Sequence, residues 1–295
     1  MKKTRHCLLI AMTLAMIAVT LGCSNAGNPA YTKLAFYSNR TVSPATNLFL
    51  MNLDGSGVTP VPFTGGIYSP SSSADLKTIA FDAAGSYWVS NASGSTQTQL
   101  SGASGGYAIR VSPDGKKLIF NSQDSVTNAY HLWIANADGT AALDLNSTLP
   151  AGMSGCYTGS FSADSAKIVM NCSGGASSGI YTIKPDGTAL ATVVTESQFV
   201  DTPGFTPDGK KILYVSYILT GQSSNGIVSV NLDGSSLTVL VNGSYELEIL
   251  NSNLYYTLYD SVAGNNRIYK ANLDATGAVA LTDGSSNDSL SINTD

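Results

Sequence analysis

Val111-Ser112-Pro113-Asp114-Gly115-Lys116-Lys117-Leu118-Ile119-Phe120 reads as a strand, a tight turn and a second strand, and relatives of it recur along the chain. Near-copies are Phe205-Thr206-Pro207-Asp208-Gly209-Lys210-Lys211-Ile212-Leu213-Tyr214 and Phe161-Ser162-Ala163-Asp164-Ser165-Ala166-Lys167-Ile168-Val169-Met170. Ser73-Ala74-Asp75-Leu76-Lys77-Thr78-Ile79-Ala80-Phe81 is a looser copy. Internal repetition at this scale decides the fold before any other feature does.

A second element follows each hairpin: a strand that ends in Asp-Gly or a relative of it. Examples are Leu48–Gly55, Leu132–Gly139, Ile180–Gly187, Ile227–Gly234 and Ile268–Asp274, with a degenerate copy at Tyr87–Gly94. Asp-Gly supplies the positive φ of a tight hairpin turn. Short strands then follow at Thr59–Val61, Gln97–Leu100, Leu143–Leu145, Thr192–Val194, Thr238–Val241 and Val279–Leu281. One repeat therefore holds four strands, A to D. Six such repeats at a period of about 40 to 50 residues predict an all-β, six-bladed β-propeller of four-stranded antiparallel blades. The first B-type strand, Tyr31–Tyr37, has no A strand before it, while Asp288–Asp295 aligns with an A strand and then stops. The C-terminal strand is expected to complete the first blade, which leaves no open sheet edge there.

The Ser-Pro-Asp-Gly-Lys-Lys hairpin followed by an Asn-Leu-Asp-Gly strand resembles the repeat of TolB-type β-propellers over nearly all of residues 31–295. Blade six, around Ile249–Leu254, departs from it by lacking the Pro-Asp-Gly turn. The N-terminal α/β domain that accompanies the propeller in TolB has no room in Asn25–Ala30. Ile268–Asp274 is also similar to repeats of low-density-lipoprotein-receptor propellers. The resemblance specifies a propeller and leaves function open.

Met1-Lys2-Lys3-Thr4-Arg5 is a basic start, and Leu8–Leu21 is a 14-residue apolar run too short to span a bilayer comfortably. Leu21-Gly22-Cys23-Ser24 resembles the bacterial lipobox, with Thr20 where Leu is usual. That resemblance implies a signal peptide at 1–22, lipidation of Cys23, a tether at 23–30 and the propeller at 31–295. The expected location is the bacterial cell envelope, anchored to the membrane by lipid, in the outer membrane facing the periplasm or at the cell surface. Cys156 and Cys172 each lie eight residues from Asp164 and should face each other across a hairpin. A disulfide there would close a loop of about 16 residues and stabilise by roughly 3 kcal/mol.

The formal net charge is −5 and becomes −8 once Lys2, Lys3 and Arg5 leave with the signal. An acidic body without a basic patch argues against nucleic acid as a partner. In a four-stranded blade the A–B and C–D turns share one face, and the B–C and D–A loops share the other. The loop face carries the long, dissimilar segments, where recognition usually sits. Arg40, Tyr130, Tyr217, Tyr259 and Arg267 are the candidate partner-binding residues there, since Tyr and Arg dominate interface hot spots. Taken singly, each Tyr is better explained as a cap on a blade edge.

His131 is the only histidine after the signal and reads as structural. The Gly-x-Ser-x-Gly-like runs near Gly102 and Gly175 lack the strand-to-helix context of a nucleophile elbow. The histidine-rich metal site of propeller lyases has no counterpart, and no hydrolase domain accompanies the blades. The turn aspartates are one per blade rather than a dense ligand loop, with Asp82, Asp124 and Asp260 the ones worth testing. The sequence thus predicts a monomeric, non-enzymatic binding or scaffold lipoprotein without catalytic residues, cofactor or metal, which engages an envelope protein. The alternatives are carbohydrate or small-ligand binding at the central funnel, or a lyase or hydrolase built on a propeller.

Overall fold

The computed structural model describes residues 30–39, 48–63, 66–104, 108–123, 130–150, 153, 155–172, 179–195, 200–217 and 225–290. The expected signal peptide, Cys23 and most of the expected tether lie outside the described residues. So does Arg40.

Blade one takes β1 (Lys33–Ser38), β2 (Leu48–Asn52) and β3 (Thr59–Pro60) from the start of the propeller. Blade two is β4 (Ile67–Ser72), β5 (Ile79–Ala83), β6 (Ser86–Ser90) and β7 (Gln97–Ser104). Blade three is β8 (Ile109–Val111), β9 (Lys117–Gln123), β10 (Tyr130–Asn136) and β11 (Leu143–Asp144). Blade four is β12 (Cys156–Phe161), β13 (Ile168–Cys172), β14 (Gly179–Ile183) and β15 (Ala191–Thr195). Blade five is β16 (Val200–Phe205), β17 (Lys211–Ser216), β18 (Gly226–Asn231) and β19 (Thr238–Asn242). Blade six is β20 (Leu247–Leu250), β21 (Asn253–Asp260), β22 (Asn265–Asn272) and β23 (Val279–Ala280). The last strand, β24 (Asp288–Ser289), returns to pair with β1 through Tyr37 and Ser38. The expected closure is present in the described part of the C-terminus; residues 291–295 lie outside it. The strand expected at Leu143–Leu145 stops at Asp144 and gives way to a 3-10 turn, Leu145–Thr148, because Asp144 Oδ1 caps the amide of Asn146.

Strand periodicity sends alternate side chains to opposite faces of each blade. Leu118 and Phe120 of β9 therefore pack toward blade two, while Ile119 joins Cys156, Phe161 and Ile168 of blade four. Six such apolar clusters fill the six junctions between successive blades, including the one between blades six and one. At that last junction Leu250, Tyr255 and Ile268 meet Phe36, Phe49 and Leu290. The ring is closed by the same kind of core that joins every other pair.

The turns explain the recurring aspartates. Asp114 Oδ1 accepts from Ser112 Oγ at 2.7 Å and from the Lys116 amide at 3.1 Å, while Gly115 takes the positive φ of +71°. Leu76 and Ser165 take that position in blades two and four. In the C–D turns, Asp54 accepts both the amide and the hydroxyl of Ser56, and Asp138, Asp186, Asp233 and Asp274 repeat the arrangement with Thr140, Thr188, Ser235 and Thr276. The Ser or Thr that follows Asp-Gly is thus as much a part of the motif as the Asp.

Cys156 and Cys172 form the expected disulfide and are register partners. The turn alone would not align them. Phe161 pairs with Ile168, but a bulge between Thr158 and Ser160 shifts the register by one and brings Cys156 opposite Cys172. Gly159 permits the bulge: a Cβ there would sit 2.4 Å from the Val169 carbonyl oxygen. Replacing Cys156 and Cys172 together by Ser is expected to cost about 3 kcal/mol of unfolding free energy. Denaturant titration checks this; an unchanged midpoint would show that the bridge adds nothing to the junction of blades three and four.

Candidate functional site

The A strands of neighbouring blades pack against one another around the axis, and the D strands lie outermost and exposed. A cavity of about 630 Å³ occupies the axis. It is lined by A-strand residues, among them Ser71, Arg110, Ser160, Thr202 and Glu248, and reaches the A–B turns at Pro113, Ala163, Pro207 and Ser252. It therefore opens on the turn face. The sequence placed recognition on the opposite face.

Bulges in β4, β12 and β16 shape this wall. Ser69 and Thr202, each before a proline, take positive φ values of 48° and 45°. At Thr202 the hydroxyl oxygen is buried without a hydrogen-bond partner among the described residues. Gly204 faces Ile249 and Ser160, where a Cβ would come within 3.1 Å of the Ile249 side chain.

Two ionisable groups inside the cavity stand out. Arg110 projects from β8 between the buried Ile109 and Val111, and among the described residues its hydrogen bond goes to the neighbouring Ile109 carbonyl at 3.3 Å. Glu248 projects from β20. Desolvation raises its pKa, and the charge of Arg110 partly offsets that rise. Tyr31 adds a phenol whose pKa burial raises further, with the Glu248 charge adding to the effect. Asp208 at the rim is engaged in its own turn by Thr206 Oγ1 and the Lys210 amide. Blade six replaces the four-residue turn by the two-residue Asn251-Ser252, and Asn251 clamps Tyr31 by accepting from its amide and donating to its carbonyl, both at 2.9 Å. Where blade six departs from the repeat, the start of the propeller is tied to the cavity rim.

Tyr130 packs against Tyr157 with ring centroids 5.4 Å apart and planes tilted by 42°, Tyr217 packs against the core between blades five and six, and Arg267 Nε lies 2.9 Å from Asp260 Oδ2. Tyr259 is largely exposed, at 64%, unlike the other described candidates. His131 Nδ1 meets Asp144 Oδ2 at 2.8 Å on the outer strands of blade three, and Trp133 Nε1 donates to Ser122 Oγ beside it. This polar group lies away from the axial cavity. Among the described residues no three His, Cys, Asp or Glu side chains gather as metal ligands. Asp260 is instead bonded to the amides of Val262 and Ala263; Asp124 lies outside the described residues.

Asp82 differs. It stands in β5 where Asn121 and Asn171 stand in blades three and four, and those two asparagines donate to the Cys156 and Val200 carbonyls of the next blade at 2.8 Å. A carboxylate has no proton to donate, and burial pushes Asp82 up to about 6. Ionised Asp82 therefore destabilises the fold above that value, and the penalty is relieved as pH falls through about 6 toward the unfolded value of 3.8. Asp82→Asn is expected to raise the melting temperature at pH about 8, with a gain that shrinks toward pH about 4. A gain independent of pH would contradict this origin.

No family model matches the chain, and no curated protein does. Solved structures do. The chain is similar to a TolB from Agrobacterium tumefaciens at 17% identity and TM-score 0.66, covering 85% of this chain and 89% of that one. The fold is the six-bladed TolB-like propeller. TolB from Acinetobacter baumannii matches at 17% identity and TM-score 0.67, covering 85% of this chain; the chain spans 64% of that protein's length. A chain of a nidogen/laminin complex matches at 12% identity and TM-score 0.63, over 84% of this chain and 91% of that one.

Proposed function

We propose that this protein is a non-enzymatic binding module of the bacterial cell envelope, held there by lipid on Cys23, with the turn-face cavity as its ligand seat. The observation that carries the reading is a cavity of about 630 Å³ lined by Arg110 and Glu248, which do not pair with each other among the described residues. Its volume lies in the usual range for small-molecule sites, roughly 300–1,000 Å³. The export signal and lipobox support the envelope location. The binding reading, as opposed to catalysis, is supported by the separation of the His131–Asp144 pair from the cavity.

A protein partner on the loop face is the second reading. It is favoured by exposed Tyr245, Tyr259 and Val262, at 55%, 64% and 95%, in the loop-side segments that flank and belong to blade six. The nidogen/laminin match shows a propeller of this fold in a protein complex.

A thermal-shift screen of polar small molecules, followed by calorimetry, separates the two. Ligands of the cavity should lose affinity about tenfold or more in Ser160→Trp, which puts an indole into the cavity, and keep it in His131→Ala and Tyr259→Ala. Hits that survive Ser160→Trp would sink the cavity reading. A partner captured in cells by a photocrosslinker at Tyr259, and not by one at Val279 on the outer strand, would favour the loop face. Turnover of a hit that disappears in His131→Ala would overturn the non-enzymatic reading.

A further inference from the structure

Blades three and six are opposite members of a six-blade ring, so Arg110 on β8 and Glu248 on β20 face the axis from opposite sides. They are close enough for the Arg110 charge to act on Glu248, yet no ion pair joins them. Arg110 spends one weak bond on a neighbouring carbonyl, and Glu248 makes no side-chain hydrogen bond among the described residues. A charge held in a partly desolvated cavity without a partner is costly, and one complementary charge relieves it.

We infer, resting on the cavity as ligand seat, that the ligand is a zwitterion with an ammonium and a carboxylate group, a free amino acid or short uncapped peptide, spanning from Glu248 to Arg110. A simple anion would satisfy Arg110 and leave Glu248 without the cation that favours its carboxylate; a simple cation would do the reverse. A neutral ligand would leave the guanidinium unpaired and the Glu248 carboxyl desolvated. The guanidinium offers the planar fork that a carboxylate matches with two hydrogen bonds. The carboxylate of Glu248 accepts from an ammonium. Between them the wall is mixed: polar Ser160 and the Thr202 segment alongside apolar Phe161, Phe205 and Ile249. That mixture suits a peptide backbone with small side chains.

Calorimetric titration of the protein, purified as the cell processes it, tests this with trialanine, its N-acetylated and C-amidated forms, a mixture of the proteinogenic amino acids, and cellobiose as an uncharged control. Trialanine or the amino-acid mixture should bind, and either cap should weaken trialanine about tenfold. Glu248→Gln should erase the discrimination against the acetylated form, and Arg110→Gln that against the amidated form, with each variant's melting transition recorded to show that it is folded. Ser160→Trp should abolish binding. Free and capped peptides binding alike, or no zwitterionic probe binding at millimolar concentration, overturns the inference. Cellobiose binding that is lost in Ser160→Trp would overturn the ligand class and leave the cavity as a seat. Peptide binding untouched by Ser160→Trp would overturn the seat itself.

Discussion

Glu246 is buried at the entrance to blade six and accepts hydrogen bonds from the hydroxyl of Ser289, the amide of Leu290 and the hydroxyl of Thr257. Through it the last described residues of the chain are fastened to the sixth blade while Asp288 and Ser289 pair with β1 of the first. Ser38 Oγ donates to Asp288 Oδ1 at 2.7 Å, and Leu290 is buried in the junction core. Hydrogen bonds to a charged acceptor contribute roughly 1.5–3 kcal/mol each, and a buried leucine a similar amount. Such terms are large against a net stability of about 5–15 kcal/mol for a whole domain. A propeller has no central core of its own; each blade is stable only between two neighbours. An unsealed junction would expose the faces of blades one and six together.

The same seam builds the cavity. Glu246 and Glu248 lie two residues apart, so the latch that holds the C-terminus also fixes the strand carrying the cavity's carboxylate. On the other side of that strand Asn251 grips Tyr31, which lines both the axial cavity and the smaller space beside Leu290. Arg110, by contrast, sits in blade three, whose A strand pairs with β9 without a bulge and whose turn carries the full Pro-Asp-Gly. The two facing groups thus combine one residue from a repeat that keeps the motif with one from the place where it breaks.

Much of the fold was legible because turn chemistry is local. Pro113-Asp114-Gly115 and Asp54-Gly55 mark hairpins by their own bonding, so counting them counts blades. Closure was legible for the same reason: a missing A strand at one end and a spare one at the other. The site was less so. Ile109-Arg110-Val111 and Leu247-Glu248-Ile249 look like ordinary strands with one polar residue each, and only the ring order sets Arg110 against Glu248. The turn face read as architecture because its turns repeat, whereas its cavity depends on the strands behind those turns. The facing of Cys156 and Cys172 was anticipated from symmetry about Asp164, yet the turn is off-centre by one residue and the bulge at Gly159 makes up the difference. Asp82 was singled out as a possible ligand for its position; its distinction is that it occupies an asparagine's place between blades.

The most direct test of the closed ring is the melting curve of a chain ending at Asn287, without Asp288–Asp295. Loss of β24, Leu290 and the donors to Glu246 should lower the melting temperature by on the order of 10 °C or abolish the cooperative transition. A truncated protein that melts as the full chain does would contradict the account.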